Sequence, residues 1–241
     1  MSEINDSGFL DGLYTSSQAA DVLGVSAHQV VQLIHAGELN AFRTAGGVFL
    51  VDATSVANYA RLAQGRGRPF SAGVAWAALW LLSGREVDWL SYQQRRRLLM
   101  RLREVSTEEL LWLVRRRARL LHLRVDESFL SVTRTKLVLS GASSRAMFDL
   151  GLTIDGGRVE GYIFERDVDD FVRSCFAVAG GNCNLVVRVM SDTMPFSLTD
   201  CKEMPVAVVG ADLAASSAAR ERSAGLRLLE ELLREWRACN E

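Results

Sequence analysis

Tyr14-Thr15-Ser16-Ser17-Gln18-Ala19-Ala20-Asp21-Val22-Leu23-Gly24-Val25-Ser26 opens the stretch, residues 14–59, on which the reading of this 241-residue chain turns. Ser16 or Ser17 can cap a first helix running to Leu23, because a side-chain oxygen there accepts from the unpaired N–H groups of the first turn. Gly24 and Val25 then make a tight turn, and Ser26 offers the same cap to a second helix over residues 27–36. In that helix Val30, Leu33 and Ile34 share one face at helical spacing. His28, Gln32 and His35 fall opposite, with Gln29 on the flank. Gly37 is placed to stop the helix. The apolar and turn residues of 39–50 predict two short strands joined across Thr44, Ala45, Gly46 and Gly47.

The residues 14–26, with Ile34-His35-Ala36-Gly37-Glu38-Leu39 and Phe42-Arg43 after them, resemble the winged helix-turn-helix of the excisionase and MerR type. The resemblance implies that the second helix enters the major groove of DNA and that a basic wing residue touches the backbone or the adjacent minor groove. On that basis His28, Gln29 and Gln32 are groove residues and Arg43 is the wing contact, and Ser26 at the helix start is counted with them among the DNA-binding residues. A protein-docking module with Ala19, Leu23, Val30 and Leu33 inside is the alternative.

Charge separates the chain into three parts. Residues 1–64 hold two basic and six acidic side chains, a formal charge of −4. Residues 65–124 hold thirteen Arg and five acids, +8, and residues 125–241 carry −5, which gives the total of −1. Phosphate neutralisation supplies much of the affinity of nucleic-acid modules, so the acidic first part alone should bind weakly. Arg66-Gly67-Arg68-Pro69 has the core pattern of an AT-hook, in which Arg66 and Arg68 would lie in a narrow A·T minor groove. It also reads as a linker whose Pro69 and Ser71 start the next helix. The clusters at Arg95, Arg96, Arg97, Arg101 and Arg103, and at Arg115, Arg116, Arg117 and Arg119, fall in predicted helices. They are solvated faces, DNA-backbone contacts or a surface for an acidic protein.

An apolar content of 49% with 24% charged residues suits a chain that buries a substantial core in two domains. The expected boundaries are a winged helix-turn-helix over 12–64, a linker over 65–70, and a larger α+β domain with a small sheet over 71–241, helical to 120 and mixed beyond. Predicted helices cover 74–82, 92–105, a segment from the Ser106-Thr107-Glu108-Glu109 capping box to about 120, and 216–236 with Leu226, Leu229, Leu233 and Trp236 on one stripe. The runs 121–125, 136–139, 159–164, 185–189 and 206–209 predict strands, with helical pieces around Ser128, Ser144 and Val168.

Chemistry is sparse. The four cysteines and three histidines have no metal-ligand spacing, and neither a phosphate loop, a dinucleotide fingerprint nor a nucleophile elbow occurs. Gly141-Ala142-Ser143-Ser144 could present N–H groups to an anion. Asp167, Asp169 and Asp170 would suggest an enzyme only if they converged with Asp155 or Glu165, and are more simply the acidic start of a helix. The expectation is a non-enzymatic protein without cofactor or metal. Residues 1–11 have neither the basic start nor the apolar core of a secretory signal, and residues 72–82 are too few to span a bilayer, which predicts a cytoplasmic protein.

The Gly67-Arg68-Pro69-Phe70 junction, Leu121-His122-Leu123-Arg124-Val125, Val138-Leu139-Ser140-Gly141-Ala142-Ser143 and the long last helix resemble in outline the second domain of AbiEi-type antitoxins of actinobacteria. That implies a regulator of its own promoter opposing a nucleotidyltransferase toxin. The function expected is a sequence-specific regulator of double-stranded DNA, acting as a homodimer or with added contacts from the second domain. A ligand-sensing transcription factor and an excisionase-like architectural protein are the alternatives, and the former requires a sizeable apolar pocket.

Overall fold

The structure, a computed structural model, describes residues 12–44, 46–63, 67–179, 183–198 and 201–240. Arg66 of the Arg66/Arg68 pair, Ala45 of the wing turn, the 64/65 boundary and residues 1–11 lie outside them. The architecture is α+β and divides into two units, Met1–Gln64 and Gly65–Glu241.

In the first unit β1 (Leu13–Thr15) leads into α1 (Ser16–Leu23), α2 (Ala27–His35), a hairpin of β2 (Ala41–Arg43) and β3 (Phe49–Asp52), and α3 (Ala53–Ala63). Thr15, rather than Ser16 or Ser17, caps α1. Gln18 N donates to its hydroxyl at 3.2 Å, while the Gln18 side chain accepts from Thr15 N at 2.9 Å. A threonine at the end of a strand takes the extended backbone that a cap needs, which serine-rich helix starts disguise in sequence. Gly24 follows in the left-handed region at φ 65°, open to glycine at no steric cost. The helix α2 ends at His35, one residue short of the expected end, and Gly37 again has positive φ. The strand β1, which the sequence does not announce, pairs with β3, so the wing is a three-stranded sheet in the order β1-β3-β2. Ala19, Ala20, Val30, Leu39, Val51 and Val56 form the core of this unit.

The second unit is a five-stranded sheet in the order β5-β6-β8-β4-β7, built from β4 (Arg119–Arg124), β5 (Val138–Leu139), β6 (Val159–Phe164), β7 (Val178–Ala179) and β8 (Leu185–Met190). Strands β6 and β8 are parallel and the other pairings antiparallel. Alternation along the strands gives each face its own residues. Val159, Ile163, Leu185, Val187 and Leu123 pack with Phe171 of α9 (Val168–Ser174) and Leu130 of α7 (Leu130–Lys136). The opposite face, with Tyr162 and Arg188, meets α4 (Ala72–Leu82) and α10 (Val206–Ala214). Helix α4 is apolar almost all round and buried, and its Trp76 stacks edge-on to Tyr162 at 5.4 Å.

Helix α6 (Thr107–Val114) stops well before residue 120. A 3-10 turn at Arg115–Arg117 and then β4 take the second arginine cluster out of a helix. The turn sets Arg117 inward, where it is buried, and its cation is neutralised there by Asp212. Residues 206–209, expected as a strand, form the start of α10. Their apolar run extends through Gly210, Ala211 and Leu213 to make a helix buried on every side, a pattern that short β-branched runs share with strands. The last helix, α11 (Ala219–Cys239), buries Leu229, Leu233 and Trp236 against this unit.

Candidate nucleic-acid interface

Four of the expected site residues of the first unit, Ser26, His28, Gln29 and Gln32, lie on α2 and its cap, and Arg43 lies in β2. Ser26 caps it through the N–H of Gln29, at 3.2 Å. In return the Gln29 side-chain oxygen accepts from Ser26 N at 3.0 Å and from the Ser26 hydroxyl at 3.2 Å. Gln29 is exposed, but its acceptor is committed to the cap. Val30, one residue on, is fully buried. That anchor turns His28 and Gln32 outward, one helical turn apart, and Gln32 Nε2 lies 3.1 Å from His28 Nε2. With the amide donating, His28 must leave Nε2 unprotonated. The Gln32 side chain then keeps one N–H and its carbonyl oxygen for a partner.

Phe49 of β3 links this helix to the wing. His35 approaches its ring edge at 5.8 Å, and the Arg43 guanidinium stands 5.8 Å from the same ring. Arg43 Nε also donates to Gly47 O at 3.1 Å, so the exposed cation is held over the wing turn with Nη2 on the Gly47 side. The structure therefore brings Ser26, His28, Gln29 and Gln32 together on α2 in two roles, a cap pair at its start and exposed polar groups beyond it, while Arg43 is linked to the end of that helix through Phe49 and His35.

Arg68 belongs to a different setting. Residues 67–70 are irregular and fixed to α6, with Trp112 Nε1 donating to Gly67 O and Phe70 N donating to Leu113 O at 2.9 Å. Its side chain is exposed.

The second unit holds a buried polar network that sequence reasoning missed. Asp212 of α10 accepts from Arg117, from Arg188 Nε at 2.9 Å, from the Tyr162 hydroxyl at 2.9 Å and from Ser140. Glu160 pairs with Arg188 at 3.2 Å and with Arg158, which also reaches Glu221 at 3.9 Å. Three guanidiniums thus face three carboxylates. Burial alone would lower the Arg188 pKa, but Asp212 and Glu160 outweigh it and the net shift is upward. Burial lifts the Tyr162 hydroxyl above its ordinary range. Gly141 (φ 53°) is part of the design, since a Cβ there would overlap the Glu160 carboxylate. The available signal was a lone charged residue in each of three apolar runs, 159–164, 185–190 and 206–214.

The acidic residues do not converge. Asp170 pairs with Arg173, Asp167 with Arg166, Glu165 with Arg119, and Asp155 accepts from Gly157 N. No group of three or more His, Cys, Asp or Glu side chains that could hold a metal ion occurs among the described residues. A half-open groove of about 270 Å³ runs between the start of α6 and α11. Glu108, Glu230 and Arg237 line it beside Leu226 and Leu233, a more polar and smaller space than the apolar pocket a ligand sensor calls for. No helix among the described residues is long and apolar enough to cross a membrane.

A family model described as a helix-turn-helix domain matches residues 13–61. No curated protein and no solved structure matches the chain. The matched residues begin at β1 and end in α3, so the fold of the first unit and the family model delimit the same segment: residues 13–61 are a helix-turn-helix domain.

Proposed function

We propose that this chain is a sequence-specific, non-enzymatic DNA-binding regulator of transcription, working in the cytoplasm, with α2 as the reading helix. The observation that carries the reading is the outward pair His28 and Gln32, set by the buried Val30 on a helix capped at both ends of its first turn. A glutamine amide offering one donor and one acceptor matches the N7 and N6 edge of adenine in the major groove. Arg43 would touch a phosphate or the adjacent minor groove from the wing. Gln29, whose oxygen closes the cap, supports the helix rather than reading a base.

A single helix of this kind covers few base pairs, so a homodimer on paired half-sites or further contacts would complete the specificity. The resemblance of the second unit to AbiEi-type antitoxins supports a narrower version, in which the protein represses its own operon and opposes a nucleotidyltransferase toxin. A gel shift of the full chain against its own upstream DNA and a scrambled control, at about 150 mM salt, tests both levels. Selective retardation is expected. Selective binding only to DNA from elsewhere would remove autoregulation, and binding without selectivity would remove the reading helix.

A further inference from the structure

Most arginines of the basic stretch are already occupied. Arg117 pairs with Asp212, Arg101 with Glu109 and Arg119 with Glu165. Arg103 donates to Asn240 O, Arg95 donates to Val87 O, and Arg115 and Arg85 lie over Trp112 and Trp80. Arg96 and Arg97 are different. They are exposed in α5 (Tyr92–Glu104) and form no ion pair or hydrogen bond among the described residues.

At about 100° per residue, Tyr92, Arg96, Met100 and Arg103 share one stripe of α5, with Arg97 bordering it. Leu98 and Leu102 are buried on the opposite side. The stripe leaves Tyr92 80% and Met100 55% exposed beside the two arginines. The nearby acids are Glu86 and Asp88 in the preceding loop and Glu104 at the helix end, none of them paired with Arg96 or Arg97.

We propose that this face of α5 is a second DNA contact, taking the phosphate backbone of a duplex through Arg96 and Arg97 with Tyr92 alongside. The inference rests on the DNA-binding reading above and adds a surface to it. The charge requirement points this way. Residues 1–64 carry a net −4 with only two basic side chains, so they provide little of the counterion release that drives protein–DNA association, and two unpaired guanidiniums on α5 add to it. Shape favours a nucleic-acid backbone over an acidic peptide. A peptide needs a groove to seat its side chains, whereas the stripe is an exposed helix face from which long side chains stand out. A polyanion needs only accessible cations at the phosphate spacing.

The test uses the full chain and a mixed-sequence duplex of about 40 base pairs, with affinity measured between about 50 and about 200 mM salt. R96A/R97A is expected to lower the slope of log affinity against log salt by about 2, so that the wild-type advantage shrinks roughly tenfold across that range. R96K/R97K, which keeps the charges, is expected to keep the slope. An unchanged slope in R96A/R97A overturns the proposal, as does tighter binding of the wild type to poly-glutamate than to the duplex, which would assign the face to an acidic protein. Failure of the reading helix looks different: a wild type with no preference for any sequence, whose slope still falls in R96A/R97A, removes base reading by α2 and leaves the α5 contact in place.

Discussion

Arg188 Nε stands 2.9 Å from Asp212 Oδ1, tying the middle of β8 to α10 through a pair from which water is almost wholly excluded. The same carboxylate also neutralises Arg117. Asp212→Ala would leave Arg117 and Arg188 buried with Glu160 as the one carboxylate still paired with either of them, a net positive charge in the core. Breaking a buried pair in this way costs about 3–5 kcal/mol. Chemical denaturation should show a loss of that size in the second unit. A loss below about 1 kcal/mol would mean that the guanidiniums reach water and that the network does not hold the sheet to α10.

Tyr162 makes the network sensitive to alkali. Its hydroxyl donates to Asp212 and accepts from Arg117 Nε at 3.0 Å, and burial raises its pKa above the unfolded value of about 10. The folded state therefore holds the phenolic proton more tightly than the unfolded state. Its contribution is fully present below about pH 10 and is lost as pH rises through the folded pKa. In an ultraviolet titration of the four tyrosines, one should ionise late and together with unfolding. Tyr162→Phe should abolish that late step. Four tyrosines ionising in a single step near pH 10 with the fold intact would contradict this.

Gln29 and Gln32 should separate cleanly by mutation. Gln29→Ala removes half of the capping box and should cost about 0.5–1 kcal/mol of stability, with base preference unchanged. Gln32→Ala touches no cap and should change stability by less than about 0.5 kcal/mol while relaxing discrimination at one base pair by about 1–3 kcal/mol. Binding to a panel of single-base variants of the selected site, alongside thermal melts, reads both. Relaxed specificity in Gln29→Ala with full stability would reverse the assignment.

The contrast shows which signals a sequence carries. Helix starts, glycine stops and the Val30 face of α2 are local, and they were legible because their physics lies within a few residues. Strand β6 likewise begins and ends where its apolar run does. The cap at Thr15 was hidden by the two serines after it, and β1 is too short to show a period. Residues 206–209 misled because a short valine-rich run has no period that separates a strand from a fully buried helix. Arg117 was illegible for another reason. Its burial depends on Asp212, 95 residues away, and no property of the run Arg115-Arg116-Arg117 marks which arginine turns inward.

The packing of α10 on α11 gives the sharpest stability test, because it turns on one missing atom. A Cβ on Gly225 would fall within 2.6 Å of Gly210 O and closer still to Ala214 N, both backbone atoms that cannot swing aside. Gly225→Ala must push the helices apart and should cost about 1–3 kcal/mol or more, despite alanine's better helix propensity. Gly73 of α4 is the control: a Cβ there meets nothing within 4 Å. Gly73→Ala should therefore stabilise by about 0.5–1 kcal/mol through the smaller conformational freedom of the unfolded chain. In a unit of this size each kcal/mol moves the melting midpoint by about 2–4 °C, so the two variants should shift it in opposite directions. A Gly225→Ala protein that melts with the wild type would show that the two helices are not in close backbone contact.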